Sequence, residues 1–214
     1  MSMKEMPIWQ DGEETINSIT HGAASLLSVF GSIFLIKSAM KTKNLSRQIG
    51  IIIFSASMFI LYTVSSLYHG LGDGNFKRIM RYVDHCSVFI LIAGTYTPFT
   101  FTVLRGREGT MILTIVWSIA LFGILGKIFF FEAIDKYTVF LYVAMGWTVI
   151  ISMRTLIKRT PKNGLLLLLA GGITYTVGTY FYTYDLTTKY YHAIFHLFII
   201  AGTIFHYFAV LYFC

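Results

Sequence analysis

The 214-residue chain is 56% hydrophobic and 17% aromatic, and only 13% of it is charged, about half the ~25% usual in soluble domains. So little charge excludes a soluble globular protein. The formal charge of +7 does not indicate nucleic-acid binding, because the basic residues fall in short clusters between apolar runs, as they do in loops at a membrane surface.

In chain order, residues 1–15 form a polar, acidic lead carrying Glu5, Asp11, Glu13 and Glu14. This is unlike the basic start of a cleavable signal, and the apolar run behind it is too long for a signal core. That run, residues 16–40, is expected to stay as a spanning helix. A second apolar segment covers 49–69 and stops at the breaker Gly70-Leu71-Gly72-Asp73-Gly74. The basic stretch Lys77-Arg78-Ile79-Met80-Arg81 leads into a third segment, 82–104, where Gly94 and Pro98 predict a kink. Further segments follow at 111–131, 137–157, 164–184 and 190–214, separated by short charged loops. Each holds roughly 20 residues, enough for ~30 Å of hydrocarbon at ~1.5 Å per residue. The expectation is an all-α integral membrane protein, a single seven-helix transmembrane bundle over residues 16–214. Ten basic residues fall on the side opposite the N-terminus and seven on the N-terminal side, which leans towards an external N-terminus. Cys86 and Cys214 make no disulfide framework and read as free thiols.

Alternation of seven spans fixes which helix ends share a leaflet. Asn17 and His21 open the first helix, Ser65 and His69 close the second, Asp84 and His85 open the third, and His192 and His196 open the seventh. Five of the six histidines therefore lie at one depth. His206 is fourteen residues past His192, some ~21 Å along the helix axis, and cannot share a ligand sphere with it. His192 and His196, four residues apart, point the same way from one helix face. Ionisable groups inside a membrane are costly and mark functional sites. A metal ion is the simplest object that several buried imidazoles share. His69, His192 and His196 are the candidate ligands of a three-histidine zinc site with an open position. Ser65 lies one turn before His69. Asp84, on the adjacent helix, is placed to hold a water at the metal or take its proton.

Plainer readings stand beside this one. A histidine at a helix end can be an interfacial anchor, and Asp84-His85 can be a proton relay or part of an ion pathway. Glu14, Asn17 and His21 can be a helix-start polar cluster without chemistry. Lys127 is expected to snorkel to the interface, and His206 to be packed within the bundle. Tyr180, Tyr182, Tyr184, Tyr190 and Tyr191 read as an aromatic belt.

Taken together, Glu14-x-x-Asn17-x-x-Thr20-His21, Ser65-x-x-x-His69, Asp84-His85 with the later Ala93-Gly94-Thr95-Tyr96-Thr97-Pro98, and His192-x-x-x-His196 followed by His206 resemble the motif set of hemolysin III proteins. That family is the bacterial branch of the PAQR (adiponectin and progestin receptor) family and is related to alkaline ceramidases. The resemblance runs from Glu14 to His206. It implies a seven-helix fold in the cell membrane, a zinc held by His69, His192 and His196, and Ser65 and Asp84 beside it. It also implies lipid-amide hydrolysis in the receptor and ceramidase branches, and membrane lysis or lipid homeostasis in the bacterial branch. Adiponectin receptors keep the N-terminus in the cytoplasm and alkaline ceramidases keep it outside, so the resemblance leaves orientation open. Three functions follow as expectations: a zinc-dependent hydrolase of lipid amides or esters, a non-enzymatic membrane-state sensor with structural zinc, and a lytic protein. Membrane lipids are the expected partners, and the sequence does not fix the oligomeric state.

Overall fold

A computed structural model describes residues 12–214, and these form helices and turns with no strand among them. The chain runs through α1 (Glu13–Met40), α2 (Leu45–Gly70), α3 (Asn75–Phe101), α4 (Arg107–Phe129) and a short α5 (Phe131–Asp135). It continues through α6 (Thr138–Gly146), a tighter 3-10 stretch (Trp147–Ser152), α7 (Met153–Arg159), α8 (Lys162–Thr183) and α9 (Tyr191–Phe213). Of the expected polar lead, only its end is described, and Glu13 and Glu14 already belong to α1.

Among the described residues, six stretches are long and apolar enough to cross a membrane: α1, α2, α4, the run Thr138–Arg159, α8 and α9. The expected seventh, α3, is 27 residues long but is not among them. The physical reason is its mixed character. It begins before the expected start at 82 and takes Lys77, Arg78 and Arg81 into the helix, then Asp84, and it ends in threonines, Tyr96 and Pro98. The chain stays helical through Gly94 and Pro98 as far as Phe101. A 3-10 stretch at Trp147–Ser152 separates α6 from α7.

Local chemistry sets the helix ends. The Asn44 side chain accepts from the Arg47 N–H at 3.1 Å and caps α2. Glu13 and Glu14 occupy the first turn of α1, where the helix dipole favours negative charge. α9 starts after Tyr190, whose φ of 66° is left-handed, an uncommon state for a bulky residue. The Tyr190 N–H donates to the Glu13 carboxylate, which holds that turn in place.

The most extensive packing joins α1 to α2, α2 to α3 and α8 to α9, and α9 also lies against α1. α1 and α2 are stitched by reciprocal bonds: Ser18 Oγ donates to the Ser66 carbonyl, and Ser66 Oγ to the Ser18 carbonyl, both at 2.9 Å. α2 and α3 meet where Gly94 faces Ser57; a Cβ at 94 would lie 2.6 Å from the Ser57 Cβ and closer still to its hydroxyl. The inner faces form one core around Phe54, Met58, Leu61 and Leu91 and another around Phe89, Ile112 and Val116. The outer faces expose Leu26, Leu27, Phe30, Phe34, Phe122 and Phe140, as lipid-facing surfaces do.

Candidate metal centre

The end of α2 and the start of α9 bring His69, His192 and His196 together, all three buried. Their ring centroids are 4.9 Å (His69–His192), 5.2 Å (His69–His196) and 4.7 Å (His192–His196) apart. One nitrogen from each lies within 4.8 Å of the other two, so the set can hold a metal ion.

Each ring is oriented through Nδ1. His69 Nδ1 lies 2.5 Å from Glu14 Oε2, and His192 Nδ1 lies 2.6 Å from Asp185 Oδ2. A carboxylate only accepts, so both imidazoles carry their proton on Nδ1 in these pairs. His196 Nδ1 lies 3.1 Å from Thr20 Oγ1, and that hydroxyl already donates to the Asn17 carbonyl at 2.9 Å. With its one proton committed, Thr20 accepts, so His196 too is protonated on Nδ1. All three rings are then left with Nε2 as the ligating nitrogen. Metal-binding histidines are held in this way, with the second nitrogen donating to a carboxylate or another acceptor that fixes the tautomer.

Lys77 Nζ bonds the other Glu14 oxygen at 2.5 Å and the Leu71 carbonyl at 3.0 Å. Asp84 on α3 has the Ser65 hydroxyl beside its carboxyl group and His192 within electrostatic reach. Formally, Glu14, Asp185 and Asp84 against Lys77 leave two negative charges around three neutral imidazoles. Donor type, tautomer and charge all fit a divalent ion such as zinc.

The structure changes several sequence expectations. Glu14 and Asp185, read as helix-start and loop charges, orient two of the histidines. The signal available for them was an acidic residue within two turns of a candidate site. His21, read as a plain helix-start residue, stacks on His196 with centroids 3.6 Å apart and 10° between planes. Tyr182 does not extend an aromatic belt, because its ring packs against His192 (6.0 Å) and Phe195 (5.0 Å). Lys127 does not snorkel: it is fully buried, with Asp135 Oδ1 at 2.7 Å and His85 Nδ1 at 3.1 Å. Burial works to raise the Asp135 carboxyl, but the hydrogen bond and charge of Lys127, aided by His85 and Arg81, hold it below the ordinary range. His206 is packed as expected, stacked on Tyr175 at 5.3 Å. Cys86 and Cys214 are free thiols.

Known proteins are similar to this chain to different degrees. The chain is 41% identical over 202 residues to the hemolysin-3 homolog of Bacillus subtilis (strain 168), covering 94% of each chain. It is 38% identical over 201 residues to hemolysin-3 of Bacillus cereus, covering 94% of this chain and 91% of that one. A more distant likeness, 28% over 212 residues, reaches the human monocyte to macrophage differentiation factor, covering 92% of this chain and 83% of the relative. No solved structure matches. The family described as haemolysin-III related matches residues 9–207, a span that takes in every histidine of the cluster. With six stretches of spanning length and apolarity among the described residues and that match over nearly the whole chain, this multi-pass integral membrane protein belongs to the hemolysin III family.

Proposed function

We propose that the chain is a zinc-dependent intramembrane hydrolase of lipid amide or ester bonds, built as a seven-span bundle with α3 as the seventh span. The observation that carries this reading is that three buried imidazoles on two helices each commit Nδ1 to an acceptor, which leaves three ligating nitrogens for one ion. A zinc ion held there would supply Lewis acidity towards an acyl carbonyl and lower the pKa of water. In a bilayer the carbonyls within reach belong to lipids. His69, His192 and His196 would hold the metal; Asp84, with Ser65 beside it, would accept and return the proton that hydrolysis moves. Glu14, Asp185 and Thr20 keep the imidazoles in register.

The test is metal analysis of the purified protein combined with fatty-acid release from N-acyl lipids and lipid esters. Zinc near one ion per chain is expected, with release by the wild-type protein. His196→Ala is expected to lose both metal and release, and Asp84→Asn to keep the metal and lose release by roughly 10²-fold or more. Zinc retention with no release from any lipid would instead make the ion structural and the protein a regulator of membrane state.

A further inference from the structure

The first helix buries two polar side chains to which the metal centre gives no task. Asn17 is fully buried and His21 is 2% exposed. Neither amide atom of Asn17 and neither ring nitrogen of His21 has a hydrogen-bond partner among the described residues. The His196 backbone lies close to His21 but out of hydrogen-bond geometry. The two residues are four apart on one helical stripe, so four unsatisfied polar atoms lie one turn from each other. Buried donors and acceptors lose their hydration with nothing in return, and such groups ask for an explanation.

Interfacial anchoring is excluded by the burial. Metal ligation by His21 is excluded by the stack. The two rings are nearly parallel with centroids 3.6 Å apart, so the in-plane lone pairs of their nitrogens cannot aim at one common point. Apolar packing would use Leu and Phe in these places. A group that brings its own donor and acceptor fits, because a carboxamide offers one of each and so does a neutral imidazole.

We propose that Asn17 and His21 form a subsite beside the three-histidine centre that hydrogen-bonds the secondary amide of an N-acyl lipid. Asn17 Oδ1 accepts from the amide N–H, and His21, one turn further along α1, donates to the amide carbonyl, which points the opposite way in a trans amide. An ester cannot fill this subsite, since its bridging oxygen meets Asn17 Oδ1 lone pair to lone pair. Sites built around a substrate N–H reject analogues that lack it for this reason. The choice of a lipid ligand rests on the hydrolase reading above, but the subsite is read from binding alone.

The experiment compares N-oleoylethanolamine with 2-hydroxyethyl oleate, which differs only by O in place of N–H. Each is titrated onto full-length detergent-solubilised protein carrying Asp84→Asn to block turnover. The amide is expected to bind about tenfold or more tighter than the ester. Asn17→Leu, added to that background, is expected to bring the ratio near one while zinc content stays at its parent level and the melting temperature does not fall, since it replaces unsatisfied atoms by an apolar group of similar size. His21→Phe, which keeps the stack, is expected to weaken both lipids alike, because both carry the carbonyl. Equal binding of both lipids to the parent protein would mean that only water occupies the place, and overturns the proposal. So would an undiminished ratio in Asn17→Leu, or loss of zinc in that variant. Amide preference in a protein that hydrolyses nothing would sustain the subsite and remove the hydrolase reading; hydrolysis without amide preference would do the reverse.

Discussion

Glu14 divides its two oxygens between two elements, one to His69 on α2 and one to Lys77 on α3. Glu14→Gln removes the charge from both contacts, and the expected result is a roughly 10–100-fold weaker zinc affinity in a competition titration. Asp185→Asn should do the same through His192. The sequence made the three histidines legible because helical spacing and leaflet counting depend only on position along the chain. It did not reveal their orienting groups, because an acidic residue at a helix start or in a loop looks the same whether it faces water or an imidazole. Lys127 is similar: its partner Asp135 sits on α5, a helix of five residues too short to foresee. Asp135→Leu strands the Lys127 charge in the interior and is expected to cost about 3–5 kcal/mol, with much of that recovered in Lys127→Met/Asp135→Leu. Because the folded Asp135 pKa is depressed, its contribution is complete above the unfolded value near ~4 and is lost as pH falls through the folded value. Acid unfolding of wild type and double variant should therefore lie close at neutral pH and diverge below pH ~4, where a protonated Asp135 leaves the Lys127 charge unpaired in the wild type alone.

At the scale of elements, the first turn of α1 works as a clamp. Glu13 takes the Tyr190 N–H at the entry to α9, and Glu14 takes the end of α2 and the start of α3. This clamp fixes the rotation of α9 and with it the direction of His192 and His196. Spanning lengths were readable from apolar run length, since a helix in lipid must satisfy its own backbone. The start of α3 was not, because charged residues that continue a helix look like the loop that would interrupt it. The α2–α3 contact is set by Gly94 against Ser57. Gly94→Ala is expected to lower stability by about 1–3 kcal/mol through overpacking. Adding Ser57→Gly should return part of it, and thermal unfolding of the four proteins in the cycle would check the coupling.

At the scale of the whole molecule, an ion at the three histidines would tie α2 to α9, and so the early part of the chain to its last helix. Binding to the folded state alone stabilises by about 2.7 kcal/mol at a hundred times Kd. Chelation should lower the melting temperature of the wild-type protein and leave His196→Ala unmoved.

The bond between Thr20 and His196 joins residues 176 positions apart. During synthesis, a growing chain possesses His69 long before α9 exists, and two of the three ligands arrive only with that final helix. The site therefore cannot load early or trap an ion in a half-made bundle. Metal capture would then report that the last helix has entered the membrane and found the second.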